Sequence, residues 1–342
     1  MKNIIISSTE ADAGKTTIGL GIALSKEKKF NYFKPLGDRP IYKKKRLIDY
    51  DAKLFKKVLE LEEEFEKFTM GFDHSKIRYS YDKETIRMKV ADRVRELSQG
   101  KDCVIIETGE DWRFGSSVSL DPASLYEMLE AEIILVAAGT RTNIVDDLAA
   151  SARYFDALDI PLKGAVLNRV ESVDDMENFA VKDIEEMGID VLGIVPEISE
   201  FDLTSVNFIN DMLFGKVVAG HSGMGNIVEN VFVGALSVDE MLRSPNFYKD
   251  RKLMVTGGDR SDIILAAMDE GTSGIILTND LIPPSNIISK ADRAGIPLIV
   301  IPLDTYEASK RIERMETITT VEDEFKINKI REEVTPRLKL DC

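Results

Sequence analysis

The residues best suited to chemistry lie close to the amino terminus. Ser8-Thr9-Glu10-Ala11-Asp12-Ala13-Gly14-Lys15-Thr16-Thr17 follows directly on the apolar run Ile4-Ile5-Ile6. The spacing is that of GxxxxGK[ST], with Thr9 at the first glycine and Gly14-Lys15-Thr16 intact. A strand, a turn and a helix in that order make an anion cradle. The first helical amides lack intrahelical acceptors, and the helix dipole favours negative charge at that end. Residues Thr9 to Thr17 are therefore the expected contacts of nucleotide phosphates. Lys15 would reach the β- and γ-phosphates, and the Thr16 hydroxyl would hold Mg²⁺.

A hydroxyl alone does not complete a Mg²⁺ shell, which asks for carboxylate oxygens. Glu107 ends the apolar run Val104-Ile105-Ile106 and precedes Thr108-Gly109. It would emerge at the carboxyl edge of a sheet, where open α/β sheets place ligands. Asp51 is a candidate second carboxylate, and it reads equally well as the amino-terminal cap of the helix that follows.

These residues need a parallel sheet to position them. Strand candidates are 3–7, 31–34, 103–107, 133–137, 162–167 and 191–196, with helical spacing over 15–25 and 51–67. Continuous apolar strands alternating with helices imply crossover connections and a sheet covered on both faces. After an acidic, turn-like stretch at 197–202 the alternation restarts, with strand candidates 216–219, 231–235, 253–256, 274–277 and 298–301. The expected fold is α/β: a parallel sheet with helices on both faces, then a second, smaller α/β domain. The boundaries read as 1–198, 205–320 and a charged tail, 321–342, forming a helix and a loose end.

Composition narrows the function further. Among 342 residues, 60 acidic against 45 basic side chains give a formal charge of −15. That balance repels a phosphate backbone, so nucleic acid is not an expected partner. The basic run Lys43-Lys44-Lys45-Arg46 reads as a solvated loop facing Glu62-Glu63-Glu64. Two cysteines, Cys103 and Cys342, and two distant histidines, His74 and His221, give no disulfide framework and no zinc spacing. No apolar run reaches the roughly 18 residues of a membrane span, and the start is too short in apolar residues for a signal peptide. A cytoplasmic location without membrane contact is expected. Gly220-His221-Ser222-Gly223-Met224-Gly225-Asn226 has GxG but not GxGxxG and reads as a loop, and Trp112 as packing or rim.

Taken together, the motifs resemble dethiobiotin synthetase and its relatives among the cobyrinic acid amide synthases, over about residues 1–198. The resemblance implies a P-loop NTPase fold and MgATP as cofactor. It implies that Lys34, in Phe33-Lys34-Pro35-Leu36-Gly37, contacts substrate, and that Asp51 and Glu107 bind the metal with Thr16. It also implies that Asn168, in Ala165-Val166-Leu167-Asn168-Arg169, reads the adenine, with Pro196 of Gly193-Ile194-Val195-Pro196 lining the base. Asn168 offers both a donor and an acceptor, which matches adenine rather than guanine. The chain departs from that family at Ala11 and Asp12, where substrate-facing residues are expected, and at Thr108-Gly109-Glu110-Asp111, where the family is glycine-rich.

The second half resembles a DRTGG domain, on Val255-Thr256-Gly257-Gly258-Asp259-Arg260-Ser261-Asp262-Ile263, Gly274 to Thr278, Gly295-Ile296-Pro297 and Asp304-Thr305-Tyr306. There Gly257-Gly258 permits positive φ, and Asp259 with Arg260 could cap a helix or pair across an interface. The combination resembles the N-terminal region of certain phosphotransacetylases. It implies a homodimer and a nucleotide-dependent regulator with an unidentified small-molecule effector. The alternative is an ATP-dependent ligase that activates a carboxylate or carbamate, with Lys15 and Lys34 neutralising the charge that develops.

Overall fold

The structure, a computed structural model, describes residues 3–25, 28–43, 46–129, 131–234, 237–315 and 317–339. Lys44, Lys45, Ala235 and Cys342, named above, lie outside the described residues. The chain divides into two compact units, residues 1–198 with 324–342, and residues 199–323.

The first unit is built as β1 (Asn3–Ser8), α1 (Lys15–Leu24), β2 (Phe30–Phe33), β3 (Pro40–Lys43), β4 (Arg46–Asp49), α2 (Tyr50–Val58), α3 (His74–Ser80), α4 (Lys83–Leu97), β5 (Cys103–Glu107), α5 (Pro122–Met128), β6 (Ala131–Ala138), α6 (Arg141–Asp156), β7 (Leu162–Val170), α7 (Val173–Asp175), α8 (Val181–Glu186) and β8 (Val191–Pro196). Six strands pair in parallel in the order β2-β5-β1-β6-β7-β8. Their middles are apolar on both faces: Ile5, Ile6, Val104, Ile105, Ile106, Ile133 and Val166 are fully buried. Each such side chain contributes about 1.5–3 kcal/mol relative to exposure. Because every strand is parallel, β1, β2, β5, β7 and β8 all deliver their last residues to one edge.

Two expectations change here. The helical pattern over 51–67 ends at Val58, because Glu60 takes a left-handed φ of 52°. The Leu61 amide then closes on the Lys56 carbonyl, at 2.9 Å, and the Lys56 ammonium takes the Glu63 carbonyl at 2.7 Å. Strands β3 and β4 pair antiparallel, which the sequence pattern did not announce. Arg46 on β4 reaches Glu66 at 2.8 Å and Glu64 at 3.8 Å, across an exposed surface where such pairs are worth about 0–1 kcal/mol.

The carboxyl-terminal segment packs on the first unit. Helix α14 (Glu324–Lys329, numbered after the helices of the second unit) runs on into turns in which Ile330 and Val334 are fully buried. Thr335 donates to the Gly21 carbonyl of α1 at 3.1 Å, and the Lys339 amide to the Leu192 carbonyl of β8 at 2.7 Å.

The second unit holds β9 (Thr204–Ser205), α9 (Val206–Leu213), β10 (Lys216–Ala219), β11 (Ile227–Val228), β12 (Asn230–Val233), α10 (Val238–Met241), β13 (Lys252–Gly257), α11 (Ser261–Met268), β14 (Thr272–Thr278), α12 (Ser285–Ala294), β15 (Leu298–Val300) and α13 (Thr305–Glu313). Its main sheet runs β10-β15-β14-β13-β12. Alternate residues feed two cores. Met254, Ile275, Leu277 and Leu298 pack with Ile263, Ala267 and Ile287 of α11 and α12. Leu253, Val255, Ile276 and Ile299 pack with Ile209, Leu213, Ala308 and Ile312 of α9 and α13. The sheet is not wholly parallel, since β10 is antiparallel to β15. Between β10 and β12 lie only turns and the short β11, not the crossover helix that a parallel return needs.

Neither Gly257 nor Gly258 adopts positive φ, so the expected reason for the glycine pair does not hold. A Cβ at Gly258 would instead stand 1.8 Å from the Leu281 carbonyl oxygen, whereas one at Gly257 would meet only the end of the Asp259 side chain. Arg260, not Asp259, is the cap residue of α11, and no side chain caps that helix. Gly258→Ala should therefore destabilise the second unit by about 1–3 kcal/mol, and Gly257→Ala by much less. Denaturant unfolding of both variants checks this; equal stabilities would overturn the close-approach account.

Candidate functional site

The loop between β1 and α1 is held in a rare backbone shape. Asp12 has φ 58° and Gly14 φ 94°, with Ala13 buried between them. At Gly14 only glycine fits, because a Cβ would sit 2.2 Å from Asn168 Nδ2. Asn168, buried near the end of β7, donates that Nδ2 to the Ala13 carbonyl at 2.8 Å. The expected base reader thus braces the loop through its donor. Its Oδ1 has no protein partner among the described residues. Arg169 follows with φ 52° and an exposed side chain, and Pro196 pairs with Val170 at the end of β8.

Helix α1 begins at Lys15 with no side-chain cap. Among the described residues, the backbone amides of Gly14, Lys15 and Thr16 have no protein acceptor. Thr9 Oγ1 is buried in the same loop and has no partner either. Lys15 is 7 % exposed, and its ammonium donates to Ser8 Oγ at 2.9 Å and to the Glu110 carbonyl at 2.7 Å. Both partners are neutral, and no carboxylate lies within ion-pair distance of it among the described residues. Burial pulls its pKa down, with Glu107 opposing. Glu10, Ala11 and Thr17 are less enclosed; burial and Asp147 push the Glu10 carboxyl up.

Beyond the loop stands a buried ionic cluster. Lys34, just past β2, is fully buried, with its ammonium 2.5 Å from Asp38, 2.5 Å from Asp51 and 3.4 Å from Glu107. Burial alone would lower its pKa, but Asp51, Asp49, Glu107 and Asp38 hold it well above the usual range. Glu107 accepts from Thr16 Oγ1 at 3.0 Å and, through its other oxygen, from the Tyr32 hydroxyl at 3.0 Å. Its carboxyl is raised by burial, against Lys34. Asp51 is pushed up by burial but pulled down further by Lys34 and Arg39, to about 2.

The cap alternative for Asp51 belongs instead to Asp49, whose Oδ1 accepts from the amides of Asp51 and Ala52 at 3.0 and 3.2 Å. Burial raises Asp49 to about 7. Carboxylate oxygens of Asp38, Asp49 and Asp51 lie within 4.8 Å of one another, a grouping that could take a cation. Thr16 and Glu107 are in direct contact, and Lys34 links Glu107 to Asp51. The sequence reading missed Asp38, Asp49, Arg39, Tyr32 and Ser8. Only Asp49 carried a local signal, standing just before a helix.

The cluster makes a pH-dependent demand on stability. A carboxyl raised in the fold costs nothing below its unfolded pKa, and the cost is complete above its folded one. Asp49 meets that window between about 4 and 7. Lys34→Met strips the cation from the buried Asp51 and Glu107 and the partly buried Asp38, a loss of about 3–5 kcal/mol. The loss should be largest near pH 8 and shrink toward pH 5 as the orphaned carboxyls protonate. Denaturant unfolding across that range checks it; a loss independent of pH would contradict the cluster's electrostatics.

Known families match both halves of the chain. An AAA domain family matches residues 2–204, and a DRTGG domain family matches residues 209–315. Phosphate acetyltransferases are similar along most of the chain. That of Synechocystis sp. is 24 % identical over 95 % of this chain and 49 % of its own length. That of Escherichia coli is 22 % identical over 99 % of this chain and 52 % of its own. The chain thus spans about half the length of these curated relatives. Among solved structures, a ParA family ATPase from Chlorobium tepidum TLS aligns with a TM-score of 0.38 at 15 % identity, covering 59 % of this chain and 87 % of its own. The CBS and DRTGG domains of a Clostridium perfringens pyrophosphatase, complexed with diadenosine tetraphosphate, align at 0.30 and 18 % identity, covering 51 % and 71 %. Among the described residues no helix is long and apolar enough to cross a membrane. With the match running through the loop, the buried cluster and the whole parallel sheet, the chain belongs to the AAA domain family in its dethiobiotin synthetase-like, P-loop form, and it carries a DRTGG domain as well.

Proposed function

We propose that the first unit binds MgATP and that the chain is a nucleotide-dependent regulator. One observation carries this reading: an uncapped helix amino end beside a buried lysine that has only neutral partners. The orphaned Thr9 hydroxyl in the same loop supports it. Phosphate oxygens would satisfy all three groups at once. Thr16, Glu107 and, across Lys34, Asp51 offer the hard oxygen donors that Mg²⁺ takes. Bound there, the metal would neutralise charge on the phosphates.

Regulation is favoured over the ligase alternative by the state of Lys34. A lysine already matched by Asp38, Asp51 and Glu107 has little charge left for a carboxylate or carbamate substrate. The second unit would then take the effector and pair two chains as a cytoplasmic homodimer. Its edge strand β12 supports pairing, since it turns Val231 and Val233 outward at 41 % and 38 % exposure.

Base choice follows from Asn168. With Nδ2 committed to the Ala13 carbonyl, Oδ1 would accept from the exocyclic amine of adenine, where guanine presents a carbonyl. Calorimetric titration checks both parts. Lys15→Ala should weaken MgATP binding by about tenfold or more. The wild-type chain should prefer ATP to GTP, and Asn168→Asp, which keeps an acceptor but loses the brace, should weaken both. Unchanged affinity in a folded Lys15→Ala chain would sink the nucleotide reading, and equal affinity for ATP and GTP would sink the base assignment.

A further inference from the structure

We propose that Arg39 reads the terminal phosphate of a bound nucleoside triphosphate, and that Asp12 is the partner it gives up to do so. This rests on the nucleotide reading above and adds a residue to which the loop motif assigns nothing. Arg39 lies on the connection between β2 and β3, yet its guanidinium pairs with Asp12 of the phosphate loop and stands 3.5 Å from Asp51. Its main chain is fixed from the other side: its amide donates to Asp49 Oδ2 at 3.3 Å, and its carbonyl accepts from the Tyr50 amide at 3.0 Å.

The contacts close a ring around the loop. Thr16 joins Glu107, Glu107 joins Lys34, Lys34 joins Asp51, Asp51 joins Arg39, and Arg39 returns to Asp12 on the loop. Three cations belong to the loop and this ring: Lys15, Lys34 and Arg39. Two of them are buried, at 7 % and 0 % exposure. The Arg39 side chain is 27 % exposed and that of Asp12 36 %, so this pair meets solvent and an arriving anion first.

Asp12 is the more exposed of two carboxylates on Arg39, so phosphate oxygens can take its place while the Asp51 contact keeps the guanidinium paired. Asp12 and Arg39 also answer oppositely to phosphate. The Asp12 carboxylate, on the loop that would cradle the phosphates, repels them. The planar guanidinium matches phosphate oxygens bidentately, as a lysine ammonium cannot. A diphosphate fills the amide cradle and leaves Arg39 on Asp12. The third phosphate brings the charge that draws Arg39 away, toward the side where Thr16 and Glu107 meet. Its approach to Asp51, which Lys34 links to Glu107, places it on that side. The chain would thereby distinguish a triphosphate from a diphosphate through one side chain, as a regulator must.

The test is calorimetric titration of the full chain with MgADP and with a non-hydrolysable MgATP analogue. Arg39→Ala should lose about tenfold or more of its triphosphate affinity while MgADP affinity stays within about twofold. Arg39→Lys should keep part of the preference. Asp12→Asn removes the competing charge but keeps a residue that tolerates the left-handed backbone, and it should raise the triphosphate preference. MgADP binding reports that each variant is folded and that the loop works. If Arg39→Ala weakens both nucleotides equally, or neither, this inference fails while the nucleotide reading stands. If the wild-type chain binds neither nucleotide, both fall.

Discussion

An ammonium group buried to 1 % exposure dictates the layout of the first unit. Moving Lys34 out of water costs several kcal/mol unless carboxylates meet it at close range. The three that do so come from separate places: Asp38 from the connection after β2, Asp51 from the first turn of α2, Glu107 from the end of β5. None can drift without stranding a charge. The end of β2, the start of α2 and the end of β5 are therefore fixed with respect to one another. Through the contact of Glu107 with Thr16, the phosphate loop is tied to the same point. The parallel sheet brings these strand ends to one edge, and the ion cluster sets their spacing there.

How much of this could be read from the sequence depended on burial symmetry. Strands covered on both faces are continuous apolar runs, so 103–107 and 191–196 were legible to the residue. The β3–β4 pair was not, because it buries little beyond Ile48 and Asp49 and has no continuous apolar run. The false extension of α2 came from counting Leu61 and Phe65 as a helical face, when the left-handed Glu60 already ends the helix. The direction of β10 was equally invisible, because strand orientation lies in the connection and not in the strand.

The candidate site divides along the same line. The placement of Gly14-Lys15-Thr16 and Glu107 was legible because the backbone next to them sets it. Asp38, Asp49 and Arg39 were not, because each acts on a partner that only the tertiary fold supplies. Asp38 shows the difficulty: it stands four residues past Lys34, outside any helix, and no periodicity links the two. Asn168 was legible as a strand-end amide, but its hold on the Ala13 carbonyl follows from the neighbouring strand order β1-β6-β7.

The same charges bear on what the site can accept. Around the loop stand Lys15, Lys34 and Arg39 against Asp12, Asp38, Asp49, Asp51 and Glu107. Even with Asp49 half protonated near neutrality, the carboxylates outnumber the cations. A polyphosphate arriving alone would meet a field of its own sign, and the loop amides with one lysine would have to outweigh it. A divalent cation changes that balance. Glu107 and Asp51 would hold it, and it would supply positive charge against both the surplus carboxylates and the phosphates that Asp12 repels. On the proposed reading, metal and nucleotide therefore belong to a single binding event. The acidic surplus, which looks at first like an obstacle to binding an anion, would then make that event depend on the metal.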